Sequence, residues 1–352
     1  MLLLQEKICP QKYVIINFVN HFKTTSYKGK NFKFFSVSCA DLSDIAFMKM
    51  VLVILVMFWN VENFFDYFDS GTSGSDREFS SMGERHWTKK RFQAKCSAVA
   101  KTIYYVAEHA GGDLPDVVGL AEVENAFVLR RLLSLTNLKK SDYRIVHFEG
   151  PDPRGIDVAL LYRSGRLKLL EARPCRVDSV VTRDILLALF TTGMGDSLAV
   201  MVNHHPSKYG GASSIGRREV VVRRLCALSD SLMAAGWTQQ VVMGDFNDTP
   251  DQPLYDGLEE RLVNLSDPPA ALGLGTIKFN GKWELIDQCL VSAGIADRCT
   301  MDIVDAPFLT VSDRGHSGLK PFRTYSGPRY IGGVSDHYPV TVCIDLDAVP
   351  GL

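Results

Sequence analysis

The chain has 352 residues, 46% apolar and 22% charged, the balance of an ordinary globular protein with room for a sizeable core. Lys and Arg number 39 against 40 Asp and Glu, so no overall basic field draws it to nucleic acid or a membrane surface, although a local basic patch is compatible with that balance. The eight cysteines (Cys9, Cys39, Cys96, Cys175, Cys226, Cys289, Cys299, Cys343) form neither a C-x-x-C pair nor a Cys/His zinc spacing. Several sit in apolar runs, which points to buried thiols in a reducing, cytoplasmic compartment and not to a disulfide framework.

Residues 1–47 carry no periodic pattern and open Met-Leu-Leu-Leu without the charged n-region of a signal peptide. They read as an extension, poorly ordered or not natural sequence, with Met48 or Met50 as an alternative start. Residues 48–352 read as one domain. Val51–Asn60 is a continuous apolar run, too short to span a bilayer and expected as a strand buried on both faces. No stable membrane span is expected.

Ser70–Gly83, rich in Ser, Gly and acidic residues, reads as a long loop. Thr88 then caps a helix whose apolar positions Phe92, Cys96, Val99, Ile103, Val106 and Ala110 follow helical spacing until Gly111-Gly112. Asp116–Ala121 predicts a buried strand and Ala126–Leu135 a leucine-rich helix. Tyr143–Phe148, Ile156–Tyr162, Leu167–Ala172, Ile185–Thr191 and Leu198–Asn203 are strand-like runs between Gly, Pro and Asp turns. A helix over about Ile215–Ala235 follows, stopped by Gly236, and strands at Gln240–Met243, Leu285–Val291 and Val340–Asp345 complete the set. Meandering strands interrupted by a few helices suggest two packed mixed sheets flanked by helices.

Five segments share one feature: an apolar strand run ends in residues that bind metal or phosphate. They are Asn60-Val61-Glu62-Asn63, Glu122-Val123-Glu124-Asn125, Asn203-His204-His205-Pro206-Ser207, Gly244-Asp245-Phe246-Asn247 and Ser335-Asp336-His337. Strand ends lie at a sheet rim, where several can converge on one ligand. Oxygen donors such as Asn60, Glu122 and Asp336 suit magnesium or manganese, and a histidine near neutral pKa moves a proton. Taken singly, each segment is as readily a turn, a helix cap or a satisfied core histidine. Their co-occurrence is the informative fact.

With those motifs, and with Asn203-His204-His205-Pro206-Ser207-Lys208-Tyr209-Gly210-Gly211 in full, the chain over about residues 51–346 resembles the endonuclease/exonuclease/phosphatase superfamily, closest to a bacterial branch. The resemblance implies a four-layer α/β/β/α sandwich. It implies a metal shell of Asn60, Glu122 and Asp336, with Glu122 the principal ligand. Glu124 competes, because strand alternation puts it on the same side. It assigns His204 to contact or protonate the phosphate, Asp245 and Asn247 to orient the water and bind the scissile group, and His337 to act as base or electrostatic partner. Asp287 matches the carboxylate that fixes the His337 tautomer. His205 falls where the branch usually has an aromatic residue and reads as a flank.

The implied activity is Mg2+- or Mn2+-dependent hydrolysis of a phosphate ester, with a phosphodiesterase or nuclease first. A phosphomonoesterase acting on a lipid or sugar phosphate is the alternative, and a non-catalytic scaffold of the same fold a further one. No basic-aromatic stripe marks a nucleic-acid partner directly. Two weaker features remain: Ser213, Ser214, Arg217 and Arg218 could present donors to a phosphate at a helix start, and Lys320–Tyr325 with Tyr330 could form a substrate-contacting loop.

Overall fold

The structure is a computed structural model that describes residues 53–69, 75–208 and 211–346. The expected extension 1–47, both alternative start positions and the stretch Ser70–Gly74 lie outside the described residues. Strands β1 (Val53–Phe64), β2 (Val117–Val123), β3 (Tyr143–His147) and β4 (Asp157–Arg163) belong to one sheet. Strands β5 (Leu167–Cys175), β6 (Ile185–Thr192), β7 (Ser197–His204), β8 (Gln240–Asp245), β9 (Leu262–Asn264) and β10 (Asp287–Ser292) form the other. Strands β11 (Cys299–Ile303) and β12 (Val340–Asp345) return to the first sheet, giving six-stranded orders β11-β12-β1-β2-β4-β3 and β5-β6-β7-β8-β10-β9. Only β1/β2 and β7/β8 pair parallel, at the centre of each sheet; their other neighbours run antiparallel.

Alternation along the central strands builds three layers of core. Ile54, Val56 and Phe58 of β1 meet Leu198, Val200 and Val202 of β7, with Val241 and Met243 of β8, between the sheets. The odd positions Leu55, Met57 and Trp59 turn outward against helices α1 (Lys89–His109) and α2 (Ala126–Leu135). Ala199 and Met201 turn the other way, against helix α3 (Ala212–Ala234). Both faces of each central strand are therefore apolar, which is why these strands read as continuous hydrophobic runs. Burying a side chain of this kind contributes about 2 kcal/mol, so the sheet pair is a stiff platform.

Helix α1 starts as the sequence predicts, with Thr88 Oγ1 accepting from Arg91 N–H at 3.4 Å, and ends before Gly111 and Gly112, both at positive φ. Three expectations shift. Asp76–Phe79 forms a helical turn inside the stretch expected as loop. Strand β10 begins at Asp287 and not Leu285, and β5 runs on to Cys175. The edge strand β11 was not expected, because its half-buried alternation lacks a continuous apolar run. No helix among the described residues is long and apolar enough to cross a membrane.

Candidate active site at the sheet rim

The inward series that makes the inter-sheet core continues past its last apolar residue into polar ones. On β1 the sequence Ile54, Val56, Phe58 is followed by Asn60; on β7, Leu198, Val200, Val202 by His204; on β8, Val241, Met243 by Asp245. On β10 the same face, ahead of Cys289 and Val291, carries Asp287. Register then aligns them: His204 is the pairing partner of Asp245, and Asp245 of Asp287. Three adjacent strands thus present one row of catalytic-type side chains at the end of a dry core. Gly244, one residue before the row and paired with Asn203, has no room for a side chain: a Cβ there would collide with Asn203, whose Nδ2 donates to Met243 O at 3.1 Å.

Asp245 is the hub. Its Oδ2 accepts from Asn60 Nδ2 at 2.9 Å and lies 3.5 Å from His204 Nε2 and 4.0 Å from His337 Nε2, while Oδ1 accepts from Asn247 N–H at 2.8 Å. Burial, reinforced by the charge of Asp287, lifts its carboxyl to about 7 despite the opposing pull of His337. His337 Nδ1 hydrogen-bonds Asp287 Oδ2 at 2.7 Å. Burial alone would keep that imidazole neutral, but the charges of Asp287, Asp245 and Asp336 outweigh it and hold its pKa well above the usual value. Its backbone is fixed too: Ser335 Oγ accepts His337 N–H and donates to Asn60 O, and Trp59 Nε1 donates to His337 O.

His204 differs. Burial, followed by the nearby Arg183 and Arg154, drives its pKa far down, so it stands neutral beside Asp245. His205 is fully buried against Phe246 and Tyr255, with ring centroids 4.6 and 6.3 Å away, and neither ring nitrogen has a partner. It fills an aromatic position and faces away from the row. Asn247, at φ +53°, donates through Nδ2 to His205 O at 3.0 Å.

Glu62, Asn63, Glu122 and Asn247 all adopt left-handed backbone, rare for residues with a Cβ and costing roughly 1 kcal/mol each. At Glu122 this coincides with a break in both ladders of β2, between Asn60 and Phe64 on one side and between Ala121 and Val123 on the other. The bulge corrects the expectation that Glu122 and Glu124 share a side. Glu122 Oε2 accepts Asn63 N–H at 2.7 Å, whereas Glu124 is tied to the following loop, accepting Asp66 N–H at 2.6 Å. Burial raises Glu124 to about 7.

Asp336 is less buried than the row and pairs with Arg323 at 3.2 Å, which also reaches Glu62 Oε1 at 3.3 Å. Glu62 Oε2 accepts Thr324 N–H at 2.7 Å, and the buried Lys95 donates to Glu62 O and, at 2.9 Å, to Thr324 Oγ1. Burial lowers Lys95 to about 8 and raises Glu62 to about 7. This brace between α1, the end of β1 and the loop before Asp336 was not expected from the sequence. Its signal was present: Lys95 is the single cation in the stripe Phe92, Cys96, Val99. Of the two weaker features, the helix start has Arg218 paired with Asp248 at 2.8 Å and Ser214 Oγ donating to Gly211 O at 2.8 Å, while the Lys320–Tyr325 loop brings Arg323 to Asp336.

The oxygen-rich rim suits a hard divalent cation. Arg154 Nη1 stands 3.9 Å from Glu122 Oε1, and the buried Lys95 stands within electrostatic reach of both Glu122 and Asp336. Asn60 is engaged at both ends of its amide, with Oδ1 accepting Glu62 N–H at 3.0 Å, so a cation would meet the second lone pair of that oxygen. Asp245, Asp287 and His337 also bring ligand atoms within 4.8 Å of one another. The imidazole there is held charged by Asp287 at 2.7 Å, and that positive charge opposes a cation, so the Glu122 side fits better.

Two mixed sheets flanked by helices form an α/β sandwich, with His204, Asp245 and Asp287 aligned where the inter-sheet core ends. The chain belongs to the endonuclease/exonuclease/phosphatase family, whose family model matches residues 55–346. No curated protein sequence matches it significantly. Among solved structures it is similar to an endonuclease/exonuclease/phosphatase family protein from Bacteroides thetaiotaomicron, with 16% identity, 85% of this chain and 100% of that one covered, and a TM-score of 0.54. It is similar to a mannosyl-6-phosphatase from the same organism (16% identity, 83% and 99% covered, TM-score 0.54). The human Nocturnin catalytic domain, solved with a bound sulfate anion, is a further relative in fold (18% identity, 83% and 94% covered, TM-score 0.52).

Proposed function

We propose that the chain is a divalent-metal-dependent hydrolase of phosphate esters, with water attacking phosphorus at the Asp245–His337 end of the row. The observation that carries this is the register-aligned set His204, Asp245 and Asp287 closed by the 2.7 Å Asp287–His337 bond. Magnesium or manganese, held by Glu122 with Asn60 and Asp336, would polarise a phosphoryl oxygen and offset developing charge.

The residues divide the remaining work by their environment. Asp245, poised near 7, takes the proton of the attacking water, and Asn60 and the Asn247 N–H hold its carboxylate in place. His337, kept charged by Asp287, places positive charge where the phosphoryl oxygens gain negative charge. His204, neutral, donates a hydrogen bond without adding a charge that the buried site would have to stabilise. Asn247 supplies a further amide at the rim.

Phosphodiester or nucleic-acid cleavage is the reading inherited from the sequence. A second reading, a phosphomonoesterase, is favoured by the arginine that overhangs Glu122, and the similar mannosyl-6-phosphatase fold is consistent with it. The test of the shared reading is the pH profile. Turnover rises with pH through about 7 in the parent protein, and Asp245→Asn abolishes it with the circular dichroism spectrum unchanged. Near-parental turnover by Asp245→Asn would remove that residue from the mechanism.

A further inference from the structure

Arg154 belongs to the turn Pro151-Asp152-Pro153-Arg154-Gly155 between β3 and β4, and no step above uses it. Its backbone N–H is accepted by Asp152 Oδ1 at 2.9 Å. The other oxygen of Asp152 lies 3.0 Å from Nε of Arg183, which is 7% exposed and just ahead of β6. That Nε–H is buried without an aligned acceptor, so the contact is an ion pair and not a directed hydrogen bond. The Arg183–Asp152 pair nonetheless pins the turn, because separating two buried charges is costly.

The guanidinium of Arg154 points back over the site. Nη2 donates to Asn63 Oδ1 at 2.7 Å, and Nη1 stands 3.9 Å from Glu122 Oε1, beyond hydrogen-bonding distance. The side chain is 51% exposed. A planar fork of donors is thus fixed at one end and open at the other, beside the carboxylate best placed for a cation. Arg183 and Arg154 are also the two charges that most depress the His204 pKa, so both act on the same site.

We propose that Arg154, braced by the buried Arg183–Asp152 pair, reads a terminal phosphoryl oxygen of the substrate and selects a phosphomonoester dianion over a phosphodiester. This rests on the phosphoesterase reading above and names its substrate class. In a monoester all three equatorial oxygens of the reacting phosphoryl group are unsubstituted; in a diester one carries the second alcohol. In the proposed pose a cation held at Glu122 would take one equatorial oxygen and His204 with His337 another, leaving the third to the open edge of the guanidinium. An unsubstituted, charged oxygen there accepts from it, whereas an alkoxy oxygen is a weak acceptor whose substituent meets the guanidinium plane.

The test compares the parent protein with Arg154→Gln and Arg154→Lys by calorimetric binding of inorganic phosphate and of dimethyl phosphate, with and without magnesium. Hydrolysis of p-nitrophenyl phosphate and bis-p-nitrophenyl phosphate is followed in parallel. Arg154→Gln is expected to weaken inorganic phosphate by about 10-fold or more and dimethyl phosphate by less than about 2-fold. Arg154→Lys, which keeps the charge but loses the fork, falls between. The ratio of kcat/KM for monoester over diester drops by the same factor. Equal loss for both ligands, no loss for either, or parental preference for dimethyl phosphate overturns the proposal. Phosphate selectivity that depends on Arg154 in a protein that hydrolyses neither ester would sink the catalytic reading and leave this one standing.

Discussion

Replacing Asp287 with Asn changes one charge and almost no volume at a position with no exposure. Its Oδ2 is 2.7 Å from His337 Nδ1, so the charge centres lie near 4 Å. At an effective dielectric constant of about 20 that separation is worth about 4 kcal/mol, and the Asp287 charge is the largest of those that hold the His337 imidazole well above its usual value. The imidazole, fully charged at neutral pH in the parent protein, then becomes neutral. Turnover should fall roughly 10⁴-fold, as when a triad aspartate is replaced by asparagine.

Stability carries the same signature. A histidine raised in the fold contributes stability that is complete below its unfolded value near 6.5 and disappears as pH rises through the folded value. Urea midpoints for parent and Asp287→Asn should therefore differ most at pH 5.5 and converge in alkaline buffer. Carbon-13 shifts of the His337 ring report the charge directly. Activity within about threefold of the parent, together with a pH-independent stability difference, would refute the electrostatic role of Asp287.

Glu122→Gln should abolish activity, whereas Glu124→Gln should retain it, since Glu124 is tied to Asp66; a loss in Glu124→Gln alone would reverse their roles. Glu124 rises from 4.5 to about 7 in the fold, so its favourable contribution is complete below 4.5 and is lost by pH 8, where its removal by Glu124→Gln should stabilise by up to roughly 3 kcal/mol and at pH 4 by little. Thermal melts at the two pH values check the sign. His205→Phe should be neutral or stabilising by about 1–3 kcal/mol, because the buried ring nitrogens have no partners to lose; a large fall in melting temperature would show a polar role.

How much of this was legible follows from where each residue sits. Central strands were plain because both faces are buried, and the polar residues ending those runs, Asn60, His204, Asp245 and Asp287, were readable as one rim. The Asp287–His337 bond follows the resemblance closely. Glu122 and Glu124 could not be separated, since a non-glycine residue turning left-handed at φ +63° leaves no mark in the sequence, and one such turn resets alternation. The Lys95–Glu62–Thr324 brace joins segments more than 200 residues apart, with only a lone charge on an apolar stripe as a clue. Arg154 lies on a turn and Arg183 in the irregular segment ahead of a strand, where neither periodicity nor a motif reports direction. The edge strand Cys299–Ile303 was missed because alternation over so short a span resembles a loop.

The central claim is that a divalent cation and the Asp245–His337 row together hydrolyse a phosphate ester. The most direct measurement is hydrolysis of p-nitrophenyl phosphate and bis-p-nitrophenyl phosphate by the metal-stripped protein, before and after titration with magnesium or manganese, in the parent, Glu122→Gln and His337→Ala. The account predicts no turnover without metal, saturable recovery in the parent, and none in either variant at any metal concentration tested. Full turnover in chelator, or equal recovery in His337→Ala, would contradict it.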